Sequence, residues 1–159
     1  MAVHKLLVDD FEDSNYSLLA VHCEMEGYRL AYYLNKYLET RLARTKEDLD
    51  FITSLASFSV FKWSNKQLQT DWHLIKNSCL VEKMAVSQGL FSEINDKSWV
   101  IHSLLPEHHS VDYILKINNG GGFINEKQIL DKIQKIPKVS TAYSVDISQL
   151  KSKDHLIFN

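Results

Sequence analysis

Residues 111–147 read VDYILKINNGGGFINEKQILDKIQKIPKVSTAYSVDI, and the architecture follows from how this stretch divides. Val111, Tyr113, Leu115 and Ile117 alternate with Asp112 and Lys116, the two-residue period of a strand. Asn118-Asn-Gly-Gly-Gly122 then interrupts any regular element. A helix starts after Asn125, a capping residue, with Gln128 three positions on and with Ile124 and Ile129 placed as the two halves of a hydrophobic staple. Ile129, Ile133 and Ile136 form its apolar stripe, and Pro137 ends it. From Val139 to Ile147 the two-residue period returns. Val139, Thr141, Tyr143, Val145 and Ile147 are predicted on one face, with Ser140, Ala142, Ser144 and Asp146 on the other. A strand, a helix and a strand in this order place the two strands parallel, with room for a third between them.

Upstream, YSLLAVHC from Tyr16 to Cys23 is a short apolar run bounded by polar residues, as a buried strand requires. Between Glu24 and Glu39 the period lengthens, and Leu30, Leu34, Tyr37 and Leu38 make the stripe of an amphipathic helix. Tyr16 to about Phe61 therefore reads as a second strand-helix-strand unit. Thr45-Lys-Glu-Asp48 has the form of a capping box and predicts a helical turn, while LDFITSLASF after it fits helix or strand. FSVFKW, DWHLIK and CLVEKMA, separated by Ser64-Asn65-Lys66 and Asn77-Ser78, predict a meander of antiparallel strands. A polar connection over 87–98 leads to an apolar run, Trp99 to Leu105, stopped by Pro106. The expected fold is α+β: a mostly antiparallel sheet with two helices on one face, built from ferredoxin-like strand-helix-strand units. At the level of layout alone this also resembles small regulatory ligand-binding domains such as ACT-like modules.

The 159 residues, 45% hydrophobic and 24% charged with 5 Gly and 2 Pro, suit one ordinary domain over 1–159, with 1–14 as a ragged lead-in. Eighteen Lys+Arg against 20 Asp+Glu leave a net charge of −2, without the basic excess of a nucleic-acid binder. Cys23 and Cys79 have no CxxC spacing and read as reduced thiols. The only early apolar run is Leu6 to Val8, and no stretch nears the ~20 apolar residues of a membrane helix. A cytoplasmic protein without a membrane partner is expected.

The densest chemistry lies in His102-Ser-Leu-Leu-Pro-Glu-His-His-Ser-Val-Asp-Tyr113. A metal site would draw on His102, His108 or His109 with Glu107 or Asp112, and a hydrolytic site on Ser110 with a histidine and an acid. Neither has the spacing. Neighbours on an extended segment face opposite ways, and no HxH or HExxH is present. No metal or cofactor is expected.

Leu104-Leu-Pro-Glu-His-His-Ser-Val-Asp-Tyr-Ile-Leu-Lys-Ile117 resembles the signature of the IPExxxVDY family, small proteins of Bacteroidetes-type bacteria. Pro106, Glu107, Val111, Asp112 and Tyr113 match it, Leu105 stands in place of its Ile, and the general layout agrees over most of the chain. The resemblance implies a bacterial cytoplasmic domain and brings no activity with it. His108, His109 and Ser110 fall on its three unspecified positions, which moves the weight to Pro106, Glu107, Asp112 and Tyr113.

Two carboxylates with a nearby Arg29 or Arg41 would hold a polar ligand. Alternatively Glu107 accepts from backbone amides, Tyr113 is core and Asp112 pairs with a lysine. Gly120, Gly121 and Gly122 ahead of a helix form a weaker candidate anion site, lacking GxGxxG. Phe58, Phe61, Trp63 and Trp72 with Lys62, Lys66 and Lys76 would stack bases if exposed, although a buried sheet face explains them better. Tyr28, Tyr32, Tyr33 and Tyr37 cover more than one helix face, so Tyr32 and Tyr33 would reach a partner or form a wet rim of the core. The reading that follows is a non-catalytic ligand- or protein-binding module using Pro106–Tyr113, with a homodimer left open and nucleic acid not expected. The alternative is a small enzyme with Glu107 and Asp112 as acid and base, which leaves its status as an enzyme undecided.

Overall fold

The structure, a computed structural model, describes residues 16–84 and 97–158. The expected lead-in over 1–14 and most of the connection over 87–98 lie outside the described residues. Six strands form the main sheet: β1 (Tyr16–Cys23), β2 (Ala43–Arg44), β5 (Val60–Asn65), β6 (Thr70–Lys76), β9 (Tyr113–Asn118) and β10 (Val139–Ser144). Their spatial order is β10-β1-β9-β6-β5-β2, every neighbouring pair antiparallel. Two ribbons stand apart from it, β3 (Leu49–Phe51) with β4 (Ala56–Phe58) and β7 (Ser78–Met84) with β8 (Lys97–Ser103). Helices α1 (Gly27–Leu38) and α2 (Glu126–Gln134) cover one face of the main sheet. The expected α+β class, with a mostly antiparallel sheet and both helices on one side, is what the molecule has.

The β9–α2–β10 unit forms as its periodicities predict. Both strands pair with β1 between them and so run parallel to each other. Asn125 caps α2 by accepting from the Gln128 amide at 3.1 Å. Glu126 ties the same helix end to the sheet, accepting from Ser17 Oγ and Ser144 Oγ at 2.6 Å each. Ile133 and Ile136 are buried under the helix layer, with Ile124 and Ile129 packed beside them. Helix α1 buries Leu30, Ala31 and Leu34. Its first residue sits so close to the sheet that a Cβ on Gly27 would meet Phe61 at 3.0 Å.

Strand β1 explains its own unbroken apolar run. Leu19 and Val21 enter the helix-side core, and Leu18 and Ala20 enter a second core on the opposite face. That second core is closed without helices. Ala56 and Phe58 of β4, Val81 of β7, the Leu104–Val111 loop, and Val145, Leu150 and Leu156 pack onto it. A sheet buried on both faces gives continuous hydrophobic strands instead of alternating ones.

Several expectations are corrected here. No helical turn forms at Thr45–Asp48. Thr45 Oγ1 donates to the carbonyls of Glu47 (2.7 Å) and Val60 (3.0 Å), holding a bend that leads into the β3–β4 ribbon. The meander stops after β5–β6, because β7 leaves the sheet at Asn77 and pairs with β8. Val111 does not share a face with Tyr113, Leu115 and Ile117. It precedes β9 and packs in the opposite core. The faces assigned to Val139–Ile147 are broken by a bulge: His22 pairs with Thr141 and Cys23 with Val139, so Ser140 is an extra residue. Val139 and Ala142 therefore both face the helices. The strand ends at Ser144, and Asp146 caps a 3-10 turn by accepting from the Ser148 amide at 3.0 Å.

Leu115 lies between Leu19 and Leu74 on adjacent strands, and all three are fully buried. Leu115→Ala is expected to lower the free energy of unfolding by about 3 kcal/mol. Chemical denaturation with an unchanged m-value checks this.

Candidate functional site

The Pro106–Tyr113 segment is organised from below by a residue the sequence showed only as part of a turn. Asn77 is fully buried, and every polar group it carries is answered. Its Nδ2 donates to the carbonyls of His108 (2.8 Å) and Val111 (2.9 Å), and its Oδ1 accepts from the Leu105 amide (3.0 Å). Its backbone amide donates to Asp112 O (2.9 Å), and its carbonyl accepts from the Leu104 amide (2.7 Å). These bonds hold Pro106–His108 as a 3-10 turn, with Pro106 at its start, where the missing N–H costs nothing.

With the turn fixed, the two acidic groups serve different elements. Glu107 Oε1 accepts from the amides of Lys151 (2.9 Å) and Ser152 (3.0 Å), and Oε2 accepts from Ser152 Oγ (2.7 Å). Partial burial pushes its pKa up. Hydrogen bonds from its own amide, from Ser152 and from Lys151 outweigh that and hold it at about 2. Asp112 Oδ2 accepts from the Cys23 amide (2.9 Å), clasping the end of β1. Tyr113 is buried and donates to Met25 O at 2.6 Å, and burial raises its pKa further above the usual phenol range. These are the structural roles of the alternative reading, with an amide in place of the lysine expected for Asp112. Neither Arg29 nor Arg41 reaches these carboxylates. Arg29 lines a concavity with Glu24, Glu26 and Lys138, and Arg41 lines another beside Trp63 and Trp72.

The other sequence candidates separate likewise. Among the described residues no three of His, Cys, Asp and Glu gather as metal ligands. His102 pairs across the β7–β8 ribbon with Cys79 and, with Pro106 and His155, lines a small concavity of about 240 Å³. Gly120 and Gly121 take positive φ of 61° and 88°, and Asn118 Oδ1 accepts from the Gly120 amide, so these glycines close a turn. The helix end beyond them already holds the Asn125 cap and the Glu126 carboxylate. Phe58 and Phe61 are buried in opposite cores and Lys62 points to the face away from Trp63 and Trp72, so of this candidate set only Trp63, Trp72 and Lys66 come together, in the concavity that Arg41 also lines. Tyr32 is exposed and meets Tyr33 edge-on.

The structure exposes a site that sequence reasoning missed. Between the β2–β3 bend, strands β5 and β6 and the 157–158 segment lies a concavity of about 520 Å³. His73 forms part of its wall and is only 7% exposed, yet neither ring nitrogen has a hydrogen-bond partner. Its ring packs edge-on against Phe158, centroids 4.7 Å apart. Burial, then the charges of Lys62 and Lys116, lower its pKa to about 4 against a small opposing effect of Asp71, so the ring is neutral at pH 7. Lys62 is its cross-strand neighbour on β5, and Lys116 is its neighbour on β9. A lone histidine in DWHLIK gave no hint of this, since the row exists only once the register is known. Comparison of the chain with protein-family models, curated proteins and solved structures finds no match.

Asn77→Ala leaves the Leu105 amide and the Val111 carbonyl without their partners and takes one of two donors from His108 O, and is expected to cost about 3 kcal/mol of stability, measured by denaturant unfolding. For Glu107, a folded pKa below the usual 4.5 means its contribution is complete above about pH 4.5 and is lost as the pH falls toward 2. Because the group is solvent-exposed, that contribution is about 1 kcal/mol. Glu107→Gln is expected to lower neutral-pH stability by that amount and to flatten the acid limb of a stability-against-pH curve.

Proposed function

We propose that the protein is a non-catalytic binding module whose ligand enters the concavity beside His73, with the Pro106–Tyr113 segment as its internal brace. One observation carries this reading: a histidine more than nine-tenths buried, lining a cavity, with both nitrogens unpartnered. Buried polar groups in folded proteins are almost always hydrogen-bonded, and leaving one unanswered costs on the order of 1–3 kcal/mol. Such a cost persists where the group serves an occupant of the site. The cavity's size falls within the ~300–1,000 Å³ of small-molecule sites. Acid-base catalysis by Glu107 and Asp112 is less well supported, since a general acid near neutral pH needs a raised pKa and Glu107 has a lowered one. Stacking of RNA bases is disfavoured by the burial of Phe58 and Phe61.

In this reading, Pro106, Glu107, Val111, Asp112 and Tyr113, which carry the resemblance to the IPExxxVDY family, are framework residues of a bacterial protein. Free Cys23 and Cys79 suit a reducing cytoplasm. Among the described residues no helix is long and apolar enough to cross a membrane.

His73→Leu removes the unpartnered nitrogens while keeping an apolar contact for Phe158. It is expected to raise the unfolding free energy by about 1 kcal/mol, as replacing a functional polar group does. A loss of stability on thermal and denaturant unfolding would show that His73 is a structural residue and defeat the proposal.

A further inference from the structure

Lys62 is half-buried on the wall of the same concavity and, among the described residues, makes no hydrogen bond or ion pair. It stands directly across from His73 in the β5–β6 register. Two adjacent donors, an ammonium and a neutral imidazole N–H, thus stand side by side in the cavity wall, and no described residue accepts from either. The acidic neighbours do not answer them. Asp48 on the rim is held by Arg44 in an ion pair and accepts from Ser57 Oγ, and Glu47 is exposed, as is its neighbour Lys46, and forms no ion pair with Lys62 among the described residues. On the far side of His73, Lys116 donates to Leu156 O at 2.7 Å and lies 4.5 and 4.7 Å from the centroids of the Tyr16 and Phe158 rings. Lys62 therefore places a positive charge beside His73 in the cavity wall, while Val60, Leu49 and Phe158 supply apolar walls.

We infer that this concavity takes a small organic anion, its carboxylate or phosphate monoester group seated on Lys62 and His73 and its apolar body against Val60 and Leu49. The inference rests on the binding role proposed for the same cavity. The ring nitrogens are closed off from solvent and Phe158 packs edge-on against the ring, so the anion reaches His73 by displacing that side chain. An anion beside the ring favours the imidazolium, so occupancy raises the His73 pKa from about 4. The other charges facing the ring, Lys62, Lys116 and Asp71, are fixed in kind, so the shift reports the added anion.

The test titrates the isotope-labelled full chain with phenylacetate, phenyl phosphate, neutral phenylacetamide and cationic phenethylamine, reading backbone amides and the His73 ring by NMR. Saturable shifts at Lys62, His73 and Phe158 are expected with the two anions below about 10 mM, the range of weak fragment binding. The stronger of the two identifies the preferred head group. Lys62→Met, at a position exposed enough to tolerate it, is expected to weaken anion binding at least about tenfold, the loss of one charge-assisted hydrogen bond. The His73 titration should move upward when either anion is bound. Equal binding of phenylacetamide, or no effect of Lys62→Met on anion affinity, overturns the anion class while leaving a ligand cavity in place. Anion shifts centred on other residues also overturn it. If no probe perturbs the cavity and His73→Leu destabilises the chain, the binding role falls with it.

Discussion

Asn77 sits where the polypeptide leaves the main sheet, and its side chain amide is satisfied by the carbonyls of His108 and Val111 and by the amide of Leu105. A buried primary amide with both donors and its acceptor engaged is rigid, because any rotation leaves several groups unpaired in a low-dielectric interior. The turn it holds places Leu104, Leu105 and Val111 on the second face of the sheet, and the three become part of that core. It also sets the Glu107 carboxylate under the amides of Lys151 and Ser152. Through Glu107 the 150–158 segment is drawn across the same face, bringing Leu156 and Phe158 over Lys116 and His73. The wall of the cavity is thus an indirect product of the Asn77 amide, through Glu107 and the 150–158 segment.

The opposite face depends on more ordinary physics. Leu19, Leu74 and Leu115 line up across three strands beneath Leu30, Leu34 and Ile133, and burial of these side chains supplies most of the driving force on that side. Asp112 and Tyr113 join the two faces at one end. Asp112 accepts from the last residue of β1, and Tyr113 donates to Met25 just before α1, so the start of β9 fixes where the first helix begins. The segment that looked most like an exposed binding motif is the joint between the layers.

How far this could be read without coordinates depends on the range of the interactions involved. The helix after Asn125 and the strands around it were legible because cap, staple and periodicity are local and agree with one another. Thr45 misled for the same reason: its hydroxyl, in a capping-box pattern, donates instead to Val60 O, 15 residues away. The bulge opposite His22 and Cys23 shifts the face of Val139 without any glycine or proline to announce it. Glu107 and Tyr113 were legible as a pair of alternatives, braces of the chain or contacts for a ligand, and only their partners 45 and 88 residues away in sequence favour the first. Asn77 and His73 were illegible as anything beyond turn and strand residues, since their meaning lies wholly in long-range register.

Those two residues make the most informative contrast in the molecule. Both are polar, both are more than nine-tenths buried, and they lie four positions apart on the same strand and the turn that follows it. Asn77 has a partner for each donor and acceptor, whereas the His73 ring has none. A chain that can satisfy a buried amide so completely is under no general constraint that would force an imidazole nearby to go unanswered. The shortfall at His73 is therefore a property of its own surroundings, as is that of Thr70 Oγ1, which is also buried and unpartnered but lines a different concavity. That at His73 coincides with a half-buried lysine across the strand that also lacks a counterpart. Two independent shortfalls of acceptor in one concavity have a single economical resolution, an acceptor that arrives from outside the chain.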